Sequence, residues 1–80
     1  MYFDFSYEIR RKNGQSPADF PIAILVSRAA EMGFDSYCEI SDDKRVIYLS
    51  LATDVIHPIM TLNQEKGRQY EIKVTRQTEG

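Results

Sequence analysis

Eighty residues, 42% hydrophobic and 28% charged, describe one globular domain and exclude a disordered chain. A chain this short buries only about 60% of the surface its unfolded form exposes, which leaves little room for a deep pocket. The formal net charge of −2 weighs against general nucleic-acid binding while leaving room for a local basic patch.

Residues 1–11 alternate, with Phe3, Phe5, Tyr7 and Ile9 on one side and Tyr2, Asp4, Ser6, Glu8 and Arg10 on the other. That period of two, rich in aromatics, predicts a half-buried strand over residues 2–11. Asn13-Gly14 then supplies turn chemistry, because both residues tolerate positive φ. The next segment changes period: Ile22, Leu25, Val26, Ala29 and Met32 follow helical spacing, with Ser27, Arg28 and Glu31 opposite. Pro17 and Pro21 do not both fit one first turn, so the helix is placed over residues 20–32 with Asp19 as its cap. Gly33 is placed to end it in a left-handed conformation.

Residues 36–41 and 45–52 read as two short strands around Asp42-Asp43-Lys44, a hairpin without Asn-Gly or Asp-Gly to set its turn. A two-residue loop at Asp42-Asp43 puts Cys38, Ile40, Ile47 and Leu49 on the buried face and sets Tyr37 opposite Tyr48 on the outer one. A three-residue loop swaps those assignments on one strand. The first is preferred because it buries more aliphatic surface. Residues 53–67 allow two readings. His57 before Pro58 suits a short helix from Pro58 to Lys66 stopped by Gly67, with Ile59, Met60 and Leu62 near the core. Alternatively the preceding strand runs on through Val55 and Ile56 into a loop. Tyr70, Ile72 and Val74 mark a closing strand over residues 69–76, leaving 77–80 as a frayed tail on a single domain of residues 1–76.

Strand, helix, strand, strand, helix, strand fits an α+β, ferredoxin-like βαββαβ architecture. Its four-stranded antiparallel sheet has the order 4-1-3-2, with both helices on one face. Many unrelated functions share that arrangement, so function has to be argued from sites.

The catalogue of chemistry is short. Cys38 is the single cysteine, so an internal disulfide is ruled out. The start has no basic segment followed by a long apolar run, and the longest apolar stretch, residues 22–26, is too short to span a bilayer. A cytoplasmic location and no membrane partner are expected. One Cys and one His fall short of the four ligands of a zinc site, and Asp42-Asp43 lacks the spaced carboxylates of a calcium loop. Cys38 reads as a small core residue and His57 as a residue at the start of a helix, so the pair does not read as a nucleophile and its base. Asp4 and Glu8 lie on an open face without a pocket, where solvated surface is the default reading. Four scattered glycines form no phosphate loop, and the third strand lacks the glycine and stacking aromatics of an RNA-recognition motif. No catalytic residue, metal or cofactor is expected.

Two surfaces remain as candidates. The topology gathers Arg10, Arg11, Lys12, Lys44, Arg45, Lys66 and Arg68 at one end of the sheet, offset in part by Asp19, Asp42, Asp43 and Glu65. The uncovered sheet face carries Tyr2 and Tyr48, and on some registers Tyr37 and Val46, beside Glu8, Glu39 and Glu71. Tyrosines in a polar surround suit interface anchors, whereas the carboxylates repel a phosphate backbone. The expectation is a non-enzymatic protein-binding module, an inhibitor, adaptor or regulatory subunit of a larger protein. Its partner-binding residues would be Tyr2, Tyr48, Arg10, Arg11, Lys12, Lys44, Arg45 and Arg68. The alternatives are a nucleic-acid-backbone binder using the basic edge, and a ligand-sensing domain with its site at a homodimer interface.

Overall fold

The alternating N-terminal segment becomes an inner strand of the sheet in the computed structural model, which describes residues 3–53 and 58–79. Strand β1 (Phe3–Arg11) sends Phe5, Tyr7 and Ile9 into the core at 0%, 1% and 0% exposure, while Asp4, Ser6, Glu8 and Arg10 lie on the opposite face. Helix α1 (Ile22–Glu31), β2 (Ser36–Ile40), β3 (Ile47–Thr53), α2 (Pro58–Glu65) and β4 (Tyr70–Glu79) follow. All strand pairs are antiparallel and the sheet order is β2-β3-β1-β4, so the ferredoxin-like α+β topology is the one found.

One cluster joins the two helices to one side of the sheet. Leu25 and Ala29 of α1 and Ile59 of α2 are buried with Phe5, Tyr7, Ile9, Leu49 and Leu51, and Ile22, Val26, Met60, Leu62, Ile72 and Val74 pack around them. Among the described residues the other side of the sheet carries no helix. Both helices stop by the same device. Gly33 takes φ +82°, Phe34 N–H donates to Ala29 C=O at 2.9 Å, and Gly33 N–H donates to Ala30 C=O at 3.0 Å. Gly67 repeats this at φ +73°, with Arg68 N–H on Asn63 C=O at 2.9 Å and Gly67 N–H on Gln64 C=O at 3.1 Å. These paired bonds satisfy the last carbonyls of each helix, and only glycine takes that φ without steric cost.

Four expectations change. Asp19 does not cap α1, whose N-cap is Pro21 with no side-chain bond. A turn closed by Phe20 N–H on Pro17 C=O at 2.9 Å, anchored by buried Pro17 and Phe20, turns Asp19 away from the helix start. Strand β4 continues past residue 76 to Glu79, pairing with β1 through a bulge opposite Ser6 and Tyr7, so 77–79 are strand and not a loose end. The β2–β3 hairpin closes with a four-residue loop, because Ser41 N–H donates to Val46 C=O at 2.9 Å. Asp43 builds that loop: its Oδ1 accepts from Ser41 Oγ at 2.6 Å and Arg45 N–H at 3.1 Å, while Lys44 takes φ 63°. Relative to a two-residue loop the pairing slips by two residues, which preserves every face. Cys38, Ile40, Ile47 and Leu49 therefore share one side as expected, but Tyr37 now sits opposite Ser50 and Glu39 opposite Tyr48.

Fourth, Cys38 is exposed and not a core residue. It stands opposite Leu49 on the helix-covered side, but β2 is an edge strand with only Ser36 and Ile40 partly buried, and although α1 touches this strand Cys38 stays open to solvent. For residues 58–65 the helical reading holds; Val55 and Ile56, on which the competing strand extension rests, lie outside the described residues.

Tyr7 carries a cost. Its hydroxyl is buried and finds no hydrogen-bond partner among the described residues. Removing a buried, unsatisfied hydroxyl is neutral or favourable, so Tyr7→Phe is expected to leave stability unchanged or raise it by about 1 kcal/mol in urea unfolding. Burial pushes its pKa well above the tyrosine range, whereas the unfolded chain ionises near pH ~10. Ionisation then favours the unfolded state, so stability is whole below about pH 10 and declines above it; the substitution flattens part of that decline. A Tyr7→Phe loss above about 1 kcal/mol would show that the hydroxyl has a partner.

Candidate functional site

The end of the sheet where β1 stops and β3 and β4 begin is where the cations gather, but they divide into two kinds. Arg11 belongs to the fold. Its Nη1 donates to Gln69 Oε1 at 3.0 Å and its Nη2 to Tyr70 Oη at 3.1 Å and to Asp19 Oδ2, while the guanidinium lies 4.9 Å from the centre of the Tyr70 ring. Tyr70 Oη donates to the second Asp19 oxygen at 2.8 Å, and the Phe20 ring meets the Tyr70 ring edge-on at 4.8 Å. The hydrogen bonds from Arg11 and then Tyr70 hold the Asp19 carboxyl below the usual carboxylate range. Asp19, missed as a site residue in the sequence, is thus the acceptor that closes a brace across the β1–β4 end. No local motif could announce it, because its partners lie 8 and 51 residues away. Arg10 is engaged on the open face, where its Nη2 lies 3.1 Å from Glu8 Oε1.

Lys12, Lys44, Arg45, Lys66 and Arg68 are exposed, and among the described residues their side chains make no hydrogen bond or ion pair. The turn after β1, the β2–β3 loop and the turn before β4 present them. With strands about 4.8 Å apart, the β2–β3 loop is on the order of 10–15 Å from the start of β4. Asp42 and Glu65 are exposed at the same end, and Asp43 is held in its loop. The result is a row of separated cations with interspersed acid.

The uncovered face is the second surface. Its cross-strand rows follow from the registers: Tyr37, Ser50, Ser6 and Arg76 form one, and Glu39, Tyr48, Glu8 and Lys73 the next. Ser6 and Ser50 hydroxyls meet at 3.2 Å in the middle. Tyr37 and Tyr48 are 59% and 40% exposed. Carboxylates surround them. Tyr37 Oη donates to Glu39 Oε2 at 2.7 Å, and Tyr48 lies between Glu39 and Glu8 in its row. Asp4, Tyr37, Ser50 and Arg76 line an open hollow at the far end. Val46 lies at the margin of this face and is only 9% exposed, so it adds little to it.

The structure therefore separates the predicted residues. Lys12, Lys44, Arg45 and Arg68 lie exposed at the basic end with no side-chain hydrogen bond or ion pair among the described residues, Arg10 and Arg11 are occupied by internal partners, and Tyr48 stands on the other surface with Tyr37. Tyr2 lies outside the described residues, as does His57. Desolvation pushes the Cys38 thiol up, the opposite of an activated nucleophile. Among the described residues no three Cys, His, Asp or Glu side chains group as a metal site, and no helix is long and apolar enough to cross a membrane. Comparison with protein-family models, with curated proteins and with solved structures finds no match.

Proposed function

We propose that this domain is a non-enzymatic protein-binding module, an inhibitor, adaptor or regulatory subunit of a larger protein, docking through the uncovered face of its sheet. The observation that carries this reading is the pair of exposed rings, Tyr37 and Tyr48, set among Glu8, Glu39 and Ser50 on a sheet face that no helix covers. Large rings cost little entropy to fix and offer both apolar area and a hydroxyl, which is why tyrosine is enriched at binding interfaces. The carboxylates around them select a partner surface that carries Arg or Lys and repel phosphate. The free cations of the basic end lie outside the rings and suit the rim of such a contact, where charge speeds encounter more than it adds affinity.

The test is capture of a partner from the native host, followed by titration of that purified partner against variants. Tyr48→Ala and Tyr37→Ala are expected to weaken binding by about tenfold or more each if the rings are buried anchors. Lys44→Glu with Arg45→Glu is expected to change the association rate and its salt dependence more than the dissociation rate. A partner bound equally well by both tyrosine variants would sink the reading.

A second reading rests on Lys12, Lys44, Arg45, Lys66 and Arg68, whose exposed side chains make no hydrogen bond or ion pair among the described residues. A nucleic-acid-backbone binder would use these residues. Its signature is an affinity that falls with salt by a slope of about −0.9 per duplex phosphate neutralised and is indifferent to sequence. Sub-micromolar binding of this kind in a mobility-shift titration would replace the protein-binding reading.

A further inference from the structure

We propose that the chain forms a two-fold symmetric homodimer in which β2 pairs antiparallel with β2 of a second copy, centred on Cys38. The starting point is where the backbone groups of β2 point. Ser41 N–H and C=O both face the β3 side, bonded to Val46 C=O at 2.9 Å and to Lys44 N–H at 2.9 Å. Backbone direction alternates along a strand, so Tyr37 and Glu39 also face β3 in the observed register, whereas Ser36, Cys38 and Ile40 present N–H and C=O at the free edge. None of these three has a further partner among the described residues.

The two edges of the sheet differ in how they meet solvent. β4 carries the usual defences against edge pairing, a bulge near Thr75 and the charges Lys73 and Arg76. β2, Ser-Tyr-Cys-Glu-Ile, has no lysine, proline or bulge and is exposed at its three central positions. An edge left open beside one that is blocked marks the strand for pairing.

The occupant follows from symmetry. A two-fold axis at Cys38 sets Cys38 against its mate and Ser36 against Ile40 of the second copy, so all three outward residues exchange both bonds, about six in total. On the open face the same register places Tyr37 directly opposite Glu39 of the second copy, and Glu39 opposite its Tyr37. A phenol donor thus meets a carboxylate acceptor twice, the chemistry Tyr37 and Glu39 already show within one chain at 2.7 Å. Moving the axis one residue either way leaves fewer bonds. At Glu39 it also puts two carboxylates face to face. On the helix-covered side the second copy closes over the exposed Cys38. The product is a continuous eight-stranded sheet whose uncovered face brings the tyrosines of both copies together. It does not depend on the tyrosine face being a partner site, since it rests on the free edge.

The test uses the full chain under reducing conditions. Sedimentation equilibrium from about 10 µM to about 1 mM, the range in which a small interface self-associates, is expected to show monomers giving way to dimers. Over the same range, amide exchange at Ser36, Cys38 and Ile40 is expected to slow with concentration while Tyr37 and Glu39 stay unchanged. Cys38→Pro removes the central outward N–H at an edge position that accepts proline, and is expected to weaken dimerisation about tenfold or more with the circular dichroism of the fold retained. A chain that stays monomeric throughout, a dimer that leaves those three amides unprotected, or undiminished dimerisation of folded Cys38→Pro would each overturn the proposal. Should Cys38→Pro not fold, amide exchange on the unaltered chain decides. Loss of partner binding in Tyr48→Ala bears on the docking face alone and leaves this result standing.

Discussion

Phe5→Ala is expected to lose about 3–5 kcal/mol of stability, a large share of what a domain of this size possesses. Phe5 is fully buried on β1, paired with Leu51 on one side and Gln77 on the other, and its ring stacks on Tyr7 with centroids 5.6 Å apart. Truncation removes the ring from the layer between sheet and helices, and two flanking strands held in register cannot collapse to fill the gap. The cost is therefore lost transfer free energy plus the cavity. Urea unfolding with a constant m-value measures it, because a change in m would signal an altered denatured state instead. Phe5→Leu keeps most of the volume and is expected to cost under about 1.5 kcal/mol. A loss below about 1 kcal/mol for Phe5→Ala would mean that the β1 faces are reversed.

The second large effect lies at the β1–β4 end. Tyr70→Ala is expected to cost about 3–5 kcal/mol and Tyr70→Phe about 1–2 kcal/mol, the difference separating ring from hydroxyl. The ring is 3% exposed, meets Phe20 edge-on and lies under the Arg11 guanidinium; the hydroxyl donates to Asp19 and accepts from Arg11. This brace also sets the acid response. The folded Asp19 carboxyl is lowered, chiefly by Arg11 and then by Tyr70, so the stability it supplies is present above the ordinary aspartate pKa of about 3.9 and is lost as pH falls below it. Asp43, lowered by Ser41 and the Arg45 N–H, contributes with the same sign. Asp19→Asn should therefore make the acid unfolding limb shallower without abolishing it. An unchanged limb would show that the Arg11–Asp19 contact does not persist in solution. Tyr7→Phe and Tyr70→Phe are expected to move stability in opposite directions, a contrast that follows only from which hydroxyl has partners.

The candidate surfaces were legible in part. The cations of the basic end and Tyr48 on the open face were visible once the topology was known, because the two-residue slip of the hairpin keeps each strand residue on its face. Arg10 and Arg11 were not separable from their free neighbours in the sequence. What distinguishes them is an acceptor: Glu8 two residues away across the pleat, and Asp19 in a loop that Pro17 and Phe20 anchor by burial. Tyr37 gained its place from a four-residue loop that no Asn-Gly marked, since Asp43 and a left-handed Lys44 close it instead.

The sequence by itself left α2 and the faces of the β2–β3 hairpin each open between two readings, while it determined the alternation of β1, the core face of α1 and the glycines at which helices stop. Those properties depend on residues two, three or four apart: the alternation of β1, the helical spacing of Ile22, Leu25, Val26 and Ala29, and Gly33 and Gly67 just past each last turn. Only the tertiary structure decided the pairing register, the partners of Arg11 and Asp19, and the exposure of Cys38. Each of these depends on groups far apart in the chain or on which strand lies at an edge. Cys38 occupies an inward-facing position and is nevertheless exposed, because the side on which a residue points is local whereas what covers that side is not.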